Sequence, residues 1–480
     1  MGTILSYILQ KISFSKADLE SEPFYHGICS LDDLKEHLTN EGDWLVRASD
    51  SKGKVDLVLH VFARDEVNSF RIVMLKEGYA LNYLAKKAAI DPSATLPIFQ
   101  TVRDLADYYG EHRLPNNIRL GKAIYRPPYL IPHSWVVYKE EGLMGTGNFG
   151  KVYKGKFCPP DGYKVDVAIK LCTQTAGVED QKLTREQRQA SRERARQLAN
   201  RFQMLGTRQA MIREAKILSR FKHPHVVKLI AVACNHPPVL LLLEMCNGGS
   251  LDLHVMKGGI CATEKILYCY EAALGIEYIH LHHCIHRDIA ARNLLISSDG
   301  LIKVADFGLS KVWNEHVTLK EDLQSRPFRY LAPEAMTDQS EYSRATDVWA
   351  FGVTIYEIFT NGHVPHETTT FKGVVQRIRA GRMPTLSSAE APPSIANMLR
   401  ETWAFEPNAR PDFTRLVTNL HDILATYEPL DPDDMAINKN EKNVRRKHFI
   451  SEETKTAARV TTSRTKSNSV GQSSQSSLSK

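Results

Sequence analysis

A glycine-rich segment, LMGTGNFGKVYKG at residues 143–155, is the feature that most constrains the fold. Gly145, Gly147 and Gly150 have G-x-G-x-x-G spacing, and glycine lets backbone N–H groups close over a phosphate without side-chain collision. A dinucleotide-binding unit would continue directly into a helix and place an acid about 20 residues further on. Here the β-favouring residue Val152 follows the glycines, and VDVAIK then supplies Lys170 on a second predicted strand. The pattern therefore predicts a phosphate-binding glycine-rich segment that is followed by strands and not by the helix of a dinucleotide-binding unit.

The order of secondary-structure signals predicts a multidomain α+β protein. Residues 24–115 alternate helix signals (SLDDLKEHL, TVRDLADYYGEH) with strand signals (DWLVRAS, VDLVLHVF, SFRIVM). Residues 116–136 carry three prolines and are interpreted as a linker, because proline favours extended backbone. Residues 137–426 read as strands followed by helices. Residues 1–23 form a separate N-terminal segment.

The net charge of +7 is concentrated at the carboxyl end of the chain. Residues 438–480 contain ten Lys or Arg and three Glu, so the preceding residues are near neutral. A near-neutral folded region argues against nucleic-acid binding. The last residues are basic, Ser-rich and without apolar periodicity, so residues 427–480 are predicted to be a disordered tail. The tail is either merely solvated or a weak patch for acidic lipid or an import receptor.

The cellular setting is predicted from what the sequence lacks. It has no apolar run of about 18 residues and no secretory leader pattern, which predicts no membrane span. Its eight cysteines are scattered without a CxxC pair, a pattern typical of reduced thiols in a cytoplasmic protein. MGTILS fits M-G-x-x-x-[ST], so Gly2 is a candidate for myristoylation and for attachment to the inner face of the plasma membrane. Apolar residues at Ile4, Leu5, Ile8, Leu9 and Ile12 would lie on one helical face and assist.

Five motifs occur in a fixed order: GTGNFGKV, VAIK, HRDIAARN, DFG and APE. Together they resemble the protein-kinase signature set over residues 137–426, which implies a bilobal kinase fold that uses ATP and Mg²⁺. The resemblance implies that Lys170 holds the α/β-phosphates and that Glu214 pairs with Lys170. The resemblance also implies further ATP-binding residues: Met144, Gly145, Thr146, Gly147, Asn148, Phe149, Gly150, Lys151, Val152, Ala168, Leu243, Glu244 and Cys246.

The remaining motifs imply the catalytic residues. Asp288 would accept the proton of the substrate hydroxyl, and Asn293 and Asp306 would hold Mg²⁺. Glu334 and Arg410 match the buried ion pair of kinases.

The acceptor hydroxyl is predicted to belong to tyrosine. Serine/threonine kinases carry a lysine two residues after the catalytic acid, whereas this chain has Ala290 there and Arg292 four residues after the acid. That arrangement and Pro327 resemble tyrosine kinases. Tyr330 departs from them, because tyrosine kinases usually carry Trp at that position. A dual-specificity or serine/threonine kinase and a non-catalytic adaptor with a kinase fold are the alternatives.

Residues 24–115 resemble an SH2 domain, a central antiparallel sheet flanked by two helices. The resemblance implies that Arg47 grips a phosphotyrosine phosphate bidentately, with Ser49 as a hydroxyl donor and Arg71 over the ring. The helix arginine of that family is absent at Ser30–Leu31, and its ring-side histidine is replaced by Ser69. The expected partners are phosphotyrosine proteins and protein substrates of a monomeric enzyme.

An SH2 domain directly before a tyrosine kinase resembles the non-receptor Fes/Fer group. That group usually begins with a long membrane-bending and coiled-coil region, and here 23 residues precede Phe24, so that property is not carried over. Lys170 and Glu214 are separated by 44 positions, and the extra Arg-rich segment between them is predicted to be a solvated helix or a docking site.

The activation segment has no tyrosine at the place where the Fes/Fer group carries one. Counting back from APE puts that place at Thr318. Glu315, Glu321 and Asp322 are predicted to supply a permanent anion for Arg287, and phosphorylation of Thr318 by another kinase is the alternative.

Overall fold

The computed structural model describes residues 16–51, 54–91, 93–147, 150–171, 209–312, 317–319, 328–336, 340–450, 452 and 454–456. The chain divides into two compact units. The first comprises residues 1–215 and 230–243, and the second comprises residues 216–229 and 244–480. The predictions for residues 1–12, for the Arg-rich segment before Glu214, and for Glu315, Glu321 and Asp322 lie outside the described residues.

The first unit begins with a four-stranded antiparallel sheet in the order β1-β2-β3-β4. The first three strands are those predicted from the sequence, and the sheet comprises β1 Trp44–Ser51, β2 Lys54–Ala63, β3 Glu66–Met74 and β4 Tyr79–Leu81. Alternate residues of β1 and β2, among them Val46 and Leu59, point into one apolar core. The opposite face therefore carries the intervening residues, which include Arg47.

Four helices accompany this sheet, at Lys16–Ser21, Leu31–Leu34, Asn82–Ile90 and Val102–Glu111. The helix Val102–Glu111 begins with a capping box in which Thr101 and Asp104 bind each other's backbone N–H groups. Its inward residues, such as Leu105 and Tyr109, join the core of the sheet. The predicted helix TVRDLADYYGEH is thus present at Val102–Glu111.

The predicted linker at residues 116–136 contributes to both sheets of the first unit. Ala123 forms a bridge with Trp44, and β5 Leu130–Ile131 pairs in parallel with β9 Leu229–Ala233. The prolines do not prevent this pairing, because Leu130 and Ile131 lie between them and have backbone N–H groups that can donate to the neighbouring strand. Leu130 and Ile131 of this segment are therefore an edge strand of the second sheet.

That second sheet has six strands in the order β5-β9-β10-β8-β7-β6. Its remaining strands are β6 Val136–Gly147, β7 Gly150–Phe157, β8 Val165–Leu171 and β10 Leu240–Glu244. Val167 and Ile169 of β8 are fully buried in an apolar cluster with strands β9 and β10. Residues 209–218 are helical and carry Glu214.

The second unit is mainly helical, with short strands at β11 Gly249–Ser250, β12 Cys284–Ile285, β13 Leu294–Ile296, β14 Ile302–Val304, β15 Lys311–Val312, β16 Val317–Leu319 and β17 Ser340–Tyr342. Its described helices span Leu251–Met256, Ala262–Leu281, Arg344–Phe359, Phe371–Arg379, Pro393–Thr402, Phe413–Ala425 and Ala436–Asn440. The helix Ala262–Leu281 is buried along almost its whole length and forms the centre of this unit. The strand-then-helix order predicted for residues 137–426 is confirmed.

The prediction of a disordered tail from residue 427 is wrong for residues 427–450. This stretch is ordered and includes the helix Ala436–Asn440, whose residue Ile437 is fully buried. Arg446 is also buried, and its Nη2 and Nη1 atoms bind the carboxylate of Glu271 at 2.5 and 3.3 Å. A charge that is paired with a buried acid 175 residues away cannot be read from local composition.

The structure bears on two predictions about the cellular setting, which concern membrane spans and the state of the cysteines. Within the described part of the chain, each helix is too short or too polar to cross a membrane. The seven cysteines in that part are free thiols.

Candidate active site

Lys170 and Glu214 form the predicted ion pair inside the first unit. The Nζ atom of Lys170 lies 3.0 Å from Oε1 and 2.9 Å from Oε2 of Glu214. Both side chains are buried, and their pairing compensates charges that are costly to bury. In β8 the core residues Val167 and Ile169 alternate with Ala168 and Lys170, which places Ala168 and Lys170 on the same opposite face.

The glycine-rich segment lies in an antiparallel hairpin of β6 and β7, and the strand predicted after the glycines is present. Gly145 pairs with Val152, Thr146 with Lys151, and Gly147 with Gly150. Asn148 and Phe149 lie outside the described residues. A Cβ atom at Gly145 would meet no other atom within 4 Å. The register of β7 with β8 sets Val152 opposite Lys170. The hairpin therefore belongs to the same sheet as Lys170. It contributes the bare backbone of Gly145 and the apolar side chain of Val152.

The chain crosses from the first unit to the second directly after Leu243. Leu241 and Leu242 are fully buried in β10, which anchors the end of the strand, and Leu243 is half-buried. Glu244 is held by its side chain, whose Oε1 atom accepts from the N–H of Lys228 at 2.6 Å. Buried Cys246 follows, and burial raises the pKa of its thiol to about 12. Leu243, Glu244 and Cys246, the three residues predicted to contact adenine, thus lie at the end of β10 and in the turn that follows it.

The HRDIAARN segment lies in the second unit and surrounds Asp288 with donors. Arg292 Nη2 lies 2.6 Å from Asp288 Oδ1, and Asn293 Nδ2 lies 2.8 Å from Asp288 Oδ2. The same Asn293 nitrogen donates to the Asp288 carbonyl at 2.7 Å. The predicted acid, arginine and amide are therefore brought into one hydrogen-bonded cluster.

Asp347 binds the backbone of this loop, and no sequence motif identified it as a functional residue. Its Oδ2 accepts from the His286 N–H at 2.7 Å, and its Oδ1 accepts from the Arg287 N–H at 2.9 Å. Burial tends to raise the pKa of Asp347, but hydrogen bonds, led by that from His280, lower the pKa below its usual value. A buried carboxylate thus fixes Arg287 in its left-handed conformation, at φ 69°.

The DFG segment meets the catalytic loop through its backbone. Ala305 N–H donates to the Asn293 carbonyl at 2.9 Å, and Phe307 packs edge-on against His286 with ring centroids 4.9 Å apart. Asp306 has φ 61° and accepts the Gly308 N–H at 3.4 Å. The two predicted Mg²⁺ ligands, Asn293 and Asp306, are thereby held on adjacent, mutually bonded segments.

Tyr330, the residue that departs from the tyrosine-kinase pattern, is tied to the catalytic loop. Its hydroxyl donates to Glu357 Oε1 at 2.6 Å, and Glu357 Oε2 accepts the Ala291 N–H at 3.1 Å. The Arg292 guanidinium lies 4.9 Å from the centre of the Tyr330 ring. Burial raises the pKa of Glu357 to about 7, although the Tyr330 hydrogen bond opposes this rise. Glu357 lies 27 residues beyond Tyr330 inside a helix, and no local signal identifies it as a partner.

Arg287 is engaged by two groups of the second unit. Its Nη1 donates to the Leu309 carbonyl at 2.8 Å, and its guanidinium lies 4.2 Å from the centre of the Tyr342 ring. Tyr342 pairs with Val317 in the β16–β17 ribbon, and Thr318 pairs with Glu341. The middle of the activation segment is therefore joined to the strand that carries the aromatic partner of Arg287.

The predicted Glu334–Arg410 pair is also present. Arg410 Nη1 and Nη2 lie 2.6 and 2.9 Å from the two carboxylate oxygens of Glu334, a bidentate geometry.

In the first unit, Arg47 projects from β1 on the face away from the core. Its Nε donates to His60 Nε2 at 3.1 Å, and its Nη1 donates to the Cys29 carbonyl at 3.1 Å. Register sets Arg47 opposite Val58, and Val58 opposite Arg71. Arg47 and Arg71 therefore share one face of the sheet.

The other predicted residues of this face have different surroundings. Ser49 is half-buried and lies opposite Asp56. Arg71 Nη2 lies 3.3 Å from Asp56 Oδ2, so Arg71 already has an acidic partner. Ser30 lies at the position of the missing helix arginine, and its side chain caps the helix Leu31–Leu34.

The residues present fit the cofactors that the motifs imply. Bare backbone at Gly145 and the buried cation of Lys170 suit a polyphosphate. Asn293 and Asp306 offer oxygen atoms, which Mg²⁺ prefers. The described residues contain no cluster of three metal-ligating side chains, and Mg²⁺ in phosphoryl-transfer sites uses one or two carboxylates plus phosphate and water.

Comparison with known proteins agrees with these motifs. A family model described as "Protein tyrosine and serine/threonine kinase" matches residues 195–420. Fer-related kinase 1 of Caenorhabditis elegans is 32% identical over 364 residues, which cover 74% of this chain and 81% of that protein. Human tyrosine-protein kinase Fer is 28% identical over 422 residues, and the match covers 86% of this chain but 45% of the human protein. Spermatocyte protein spe-8 of Caenorhabditis elegans is 28% identical over 411 residues, 82% of this chain and 70% of that protein. This chain is therefore a member of the Fer-related family of ATP-dependent protein-tyrosine kinases.

Proposed function

We propose that this chain is a non-receptor kinase that phosphorylates tyrosine in protein substrates and is directed to them by an SH2 domain at residues 24–115. The observation that carries the catalytic part is the cluster around Asp288, where Arg292 and Asn293 hold the two carboxylate oxygens. The directing part rests on Arg47, whose guanidinium projects from the face of the sheet opposite the core.

In this proposal Asp288 accepts the hydrogen bond of the substrate hydroxyl and takes its proton. Arg292 and Asn293 fix the direction of the carboxylate, so that the base does not need to reorganise during the reaction. Arg292 stands four residues after the acid, an arrangement that resembles tyrosine kinases and, in this proposal, suits the longer reach of a phenol.

Bound MgATP would supply the transferred γ-phosphoryl group and the divalent charge that bridges its phosphates. Lys170, aimed by Glu214, would hold the α/β-phosphates, and Asn293 and Asp306 would hold the metal. The hairpin would cover the phosphates, with Val152, Ala168 and Leu243 as apolar walls and the backbones of Glu244 and Cys246 as adenine partners. The full proposed set also retains Met144, Gly145, Thr146, Gly147, Asn148, Phe149, Gly150 and Lys151.

The SH2 assignment gives Arg47 the phosphate, Ser49 an additional donor role and Arg71 the phosphotyrosine ring. Arg71 must loosen its contact with Asp56 to reach a ligand, because the two charges lie 3.3 Å apart. Arg71 is exposed but Asp56 is buried, so the rearrangement takes a cation away from a buried carboxylate and opposes ligand binding by Arg71.

Membrane attachment through Gly2 belongs to the same proposal. The support is the sequence pattern at the amino terminus, and one acyl chain binds membranes only marginally. Intact-mass measurement of protein made in a eukaryotic host tests it, and an acetylated or free Gly2 contradicts it.

A dual-specificity kinase is the second candidate, favoured by Tyr330 in place of the usual tryptophan. An assay with ATP and Mg²⁺ on a poly-Glu-Tyr substrate and on a serine substrate separates the two. Transfer to tyrosine alone supports the first proposal, transfer to both supports the second, and transfer to neither favours an adaptor.

A further inference from the structure

The face of the four-stranded sheet opposite the apolar core contains a hydrogen-bonded chain that joins Arg47 to two residues without an assigned role. Arg47 Nε donates to His60 Nε2 at 3.1 Å, and His60 Nδ1 lies 2.9 Å from Ser69 Oγ. The strand register explains the proximity of the last two, because His60 of β2 pairs directly with Ser69 of β3. His60 is buried, whereas Ser69 is exposed.

The geometry fixes the proton positions along this chain. The Nε atom of an arginine can only donate, so His60 Nε2 must be the acceptor. A neutral imidazole with an accepting Nε2 carries its proton on Nδ1, which therefore donates to Ser69 Oγ. Burial and the charge of Arg47 lower the pKa of His60 to about 3, in agreement with a neutral ring.

This arrangement leaves the hydroxyl hydrogen of Ser69 available as a donor. The oxygen of Ser69 accepts the hydrogen of His60, so the hydroxyl hydrogen of Ser69 is left for another acceptor. Ser69 is exposed on the face that also carries Arg47 and Arg71. A phosphate dianion offers strong acceptor oxygens there.

We infer that Ser69 is a direct phosphate donor of the phosphotyrosine site and that His60 is the positioning residue that orients both Ser69 and Arg47. This inference rests on the proposed SH2 function and deepens it. Because His60 is neutral, it supports Arg47 without cancelling the positive charge that attracts the phosphate. The two residues thus supply contacts at a site whose usual helix arginine and ring-side histidine are missing.

The first test measures binding of a phosphotyrosine peptide with mixed flanking residues to the full chain by fluorescence anisotropy. Ser69→Ala is expected to weaken binding about tenfold, the size of one lost hydrogen bond to a charged group. Ser93→Ala is the matched control, because its hydroxyl is exposed and bonds Asp91 outside the sheet. The control is expected to bind as the unchanged protein does.

Two substitutions of His60 separate its two bonds. His60→Gln keeps an acceptor near the Nε2 position for Arg47 but loses the Nδ1 donor, so a second Ser69→Ala change should then add less than twofold. His60→Asn keeps a donor near Ser69 but leaves Arg47 Nε without its acceptor, and is expected to weaken binding more than His60→Gln does. Thermal unfolding midpoints of each variant identify any loss that comes from unfolding.

The outcomes distinguish the inference from the function on which it rests. If the unchanged protein binds and Arg47→Lys abolishes binding while Ser69→Ala stays within twofold, the roles of Ser69 and His60 are wrong and the SH2 function stands. If the unchanged protein does not bind the phosphotyrosine peptide any better than its unphosphorylated form, the SH2 function itself is wrong.

Discussion

Two arginines of this chain lie at the centre of hydrogen-bonded clusters, and their partners differ in charge. Arg292, in the second unit, binds the carboxylate of Asp288 at 2.6 Å. Arg47, in the first unit, binds the neutral ring of His60 and the carbonyl of Cys29. An arginine paired with an acid mainly orients that acid, whereas an arginine held by neutral acceptors keeps its full charge for an incoming anion. In the function that we propose, the first arginine positions a base and the second binds phosphate.

The comparison is tested most strongly by removing the acid from the Arg292 cluster. Asp288→Asn is expected to lower kcat about 10³-fold, because an amide cannot take the proton of the substrate, whereas ATP affinity should change little. Asp299→Asn, the same change at an exposed turn, is the matched control. Steady-state kinetics on poly-Glu-Tyr and ATP-binding calorimetry measure the two quantities. A turnover equal to that of the control would remove Asp288 from the mechanism.

The corresponding change in the other cluster is Arg47→Lys. It keeps the charge but loses the planar fork and the Nε donor to His60, so phosphotyrosine-peptide affinity should fall about 100-fold. Arg64→Lys, at an exposed arginine that donates to the Asn116 carbonyl, is the control. Isothermal calorimetry provides the measurement. Unchanged affinity would mean that Arg47 does not bind the phosphate and that the proposed phosphotyrosine site is wrong.

The parts of the molecule that sequence predicts well are those where a motif fixes both the element and the direction of a side chain. Lys170 and Glu214 meet although 44 positions separate them, because a strand and a helix determine where each side chain points. Asp288 and Asn293 are five residues apart in one loop, and their contact follows from that spacing.

The parts that sequence misses depend on partners distant along the chain. In the sequence, Arg446 is one basic residue in a polar tail. In the structure, its guanidinium is paired with the buried carboxylate of Glu271 in the second unit. In the sequence, His60 is one polar residue in a strand, and its contact with Ser69 follows from the strand register. Residues 427–450 order because a few anchors such as Ile437 are buried, and such isolated anchors leave no periodic pattern.

A smaller effect is expected where Arg292 meets Tyr330. The Tyr330 hydroxyl stabilises the charged form of Glu357, so Tyr330→Phe should raise the pKa of Glu357 above its value of about 7. Protonated Glu357 is a poorer acceptor for the Ala291 N–H, and activity should therefore fall as pH drops through this pKa. We expect Tyr330→Phe to lose roughly fivefold in kcat at pH 7, about the value of one hydrogen bond, and to recover at pH 8.5.

Profiles of kcat against pH measure this effect. Tyr427→Phe, in the same unit and outside the cluster, should keep the original profile, and Glu357→Gln should flatten the step near pH 7. A loss in Tyr330→Phe that is equal at all pH values would show that the hydroxyl acts without Glu357.

The smallest effect on activity is expected for substitution of Thr318. It concerns which groups compensate the charge of a third arginine, Arg287. Arg287 donates to the Leu309 carbonyl and faces the Tyr342 ring at 4.2 Å, and such a cation–π contact contributes about 0.5–2 kcal/mol. Because these groups already engage Arg287, Thr318→Ala and phosphatase treatment should each change kcat/KM by less than about twofold. Tyr342→Phe keeps the ring and should match the unchanged enzyme, whereas Tyr342→Leu removes the ring and should lose roughly threefold. Intact-mass analysis establishes that the assayed enzyme carries no phosphate. If phosphatase treatment or Thr318→Ala abolishes activity, Arg287 needs a phosphate that another kinase must add, and its partners in the second unit are insufficient.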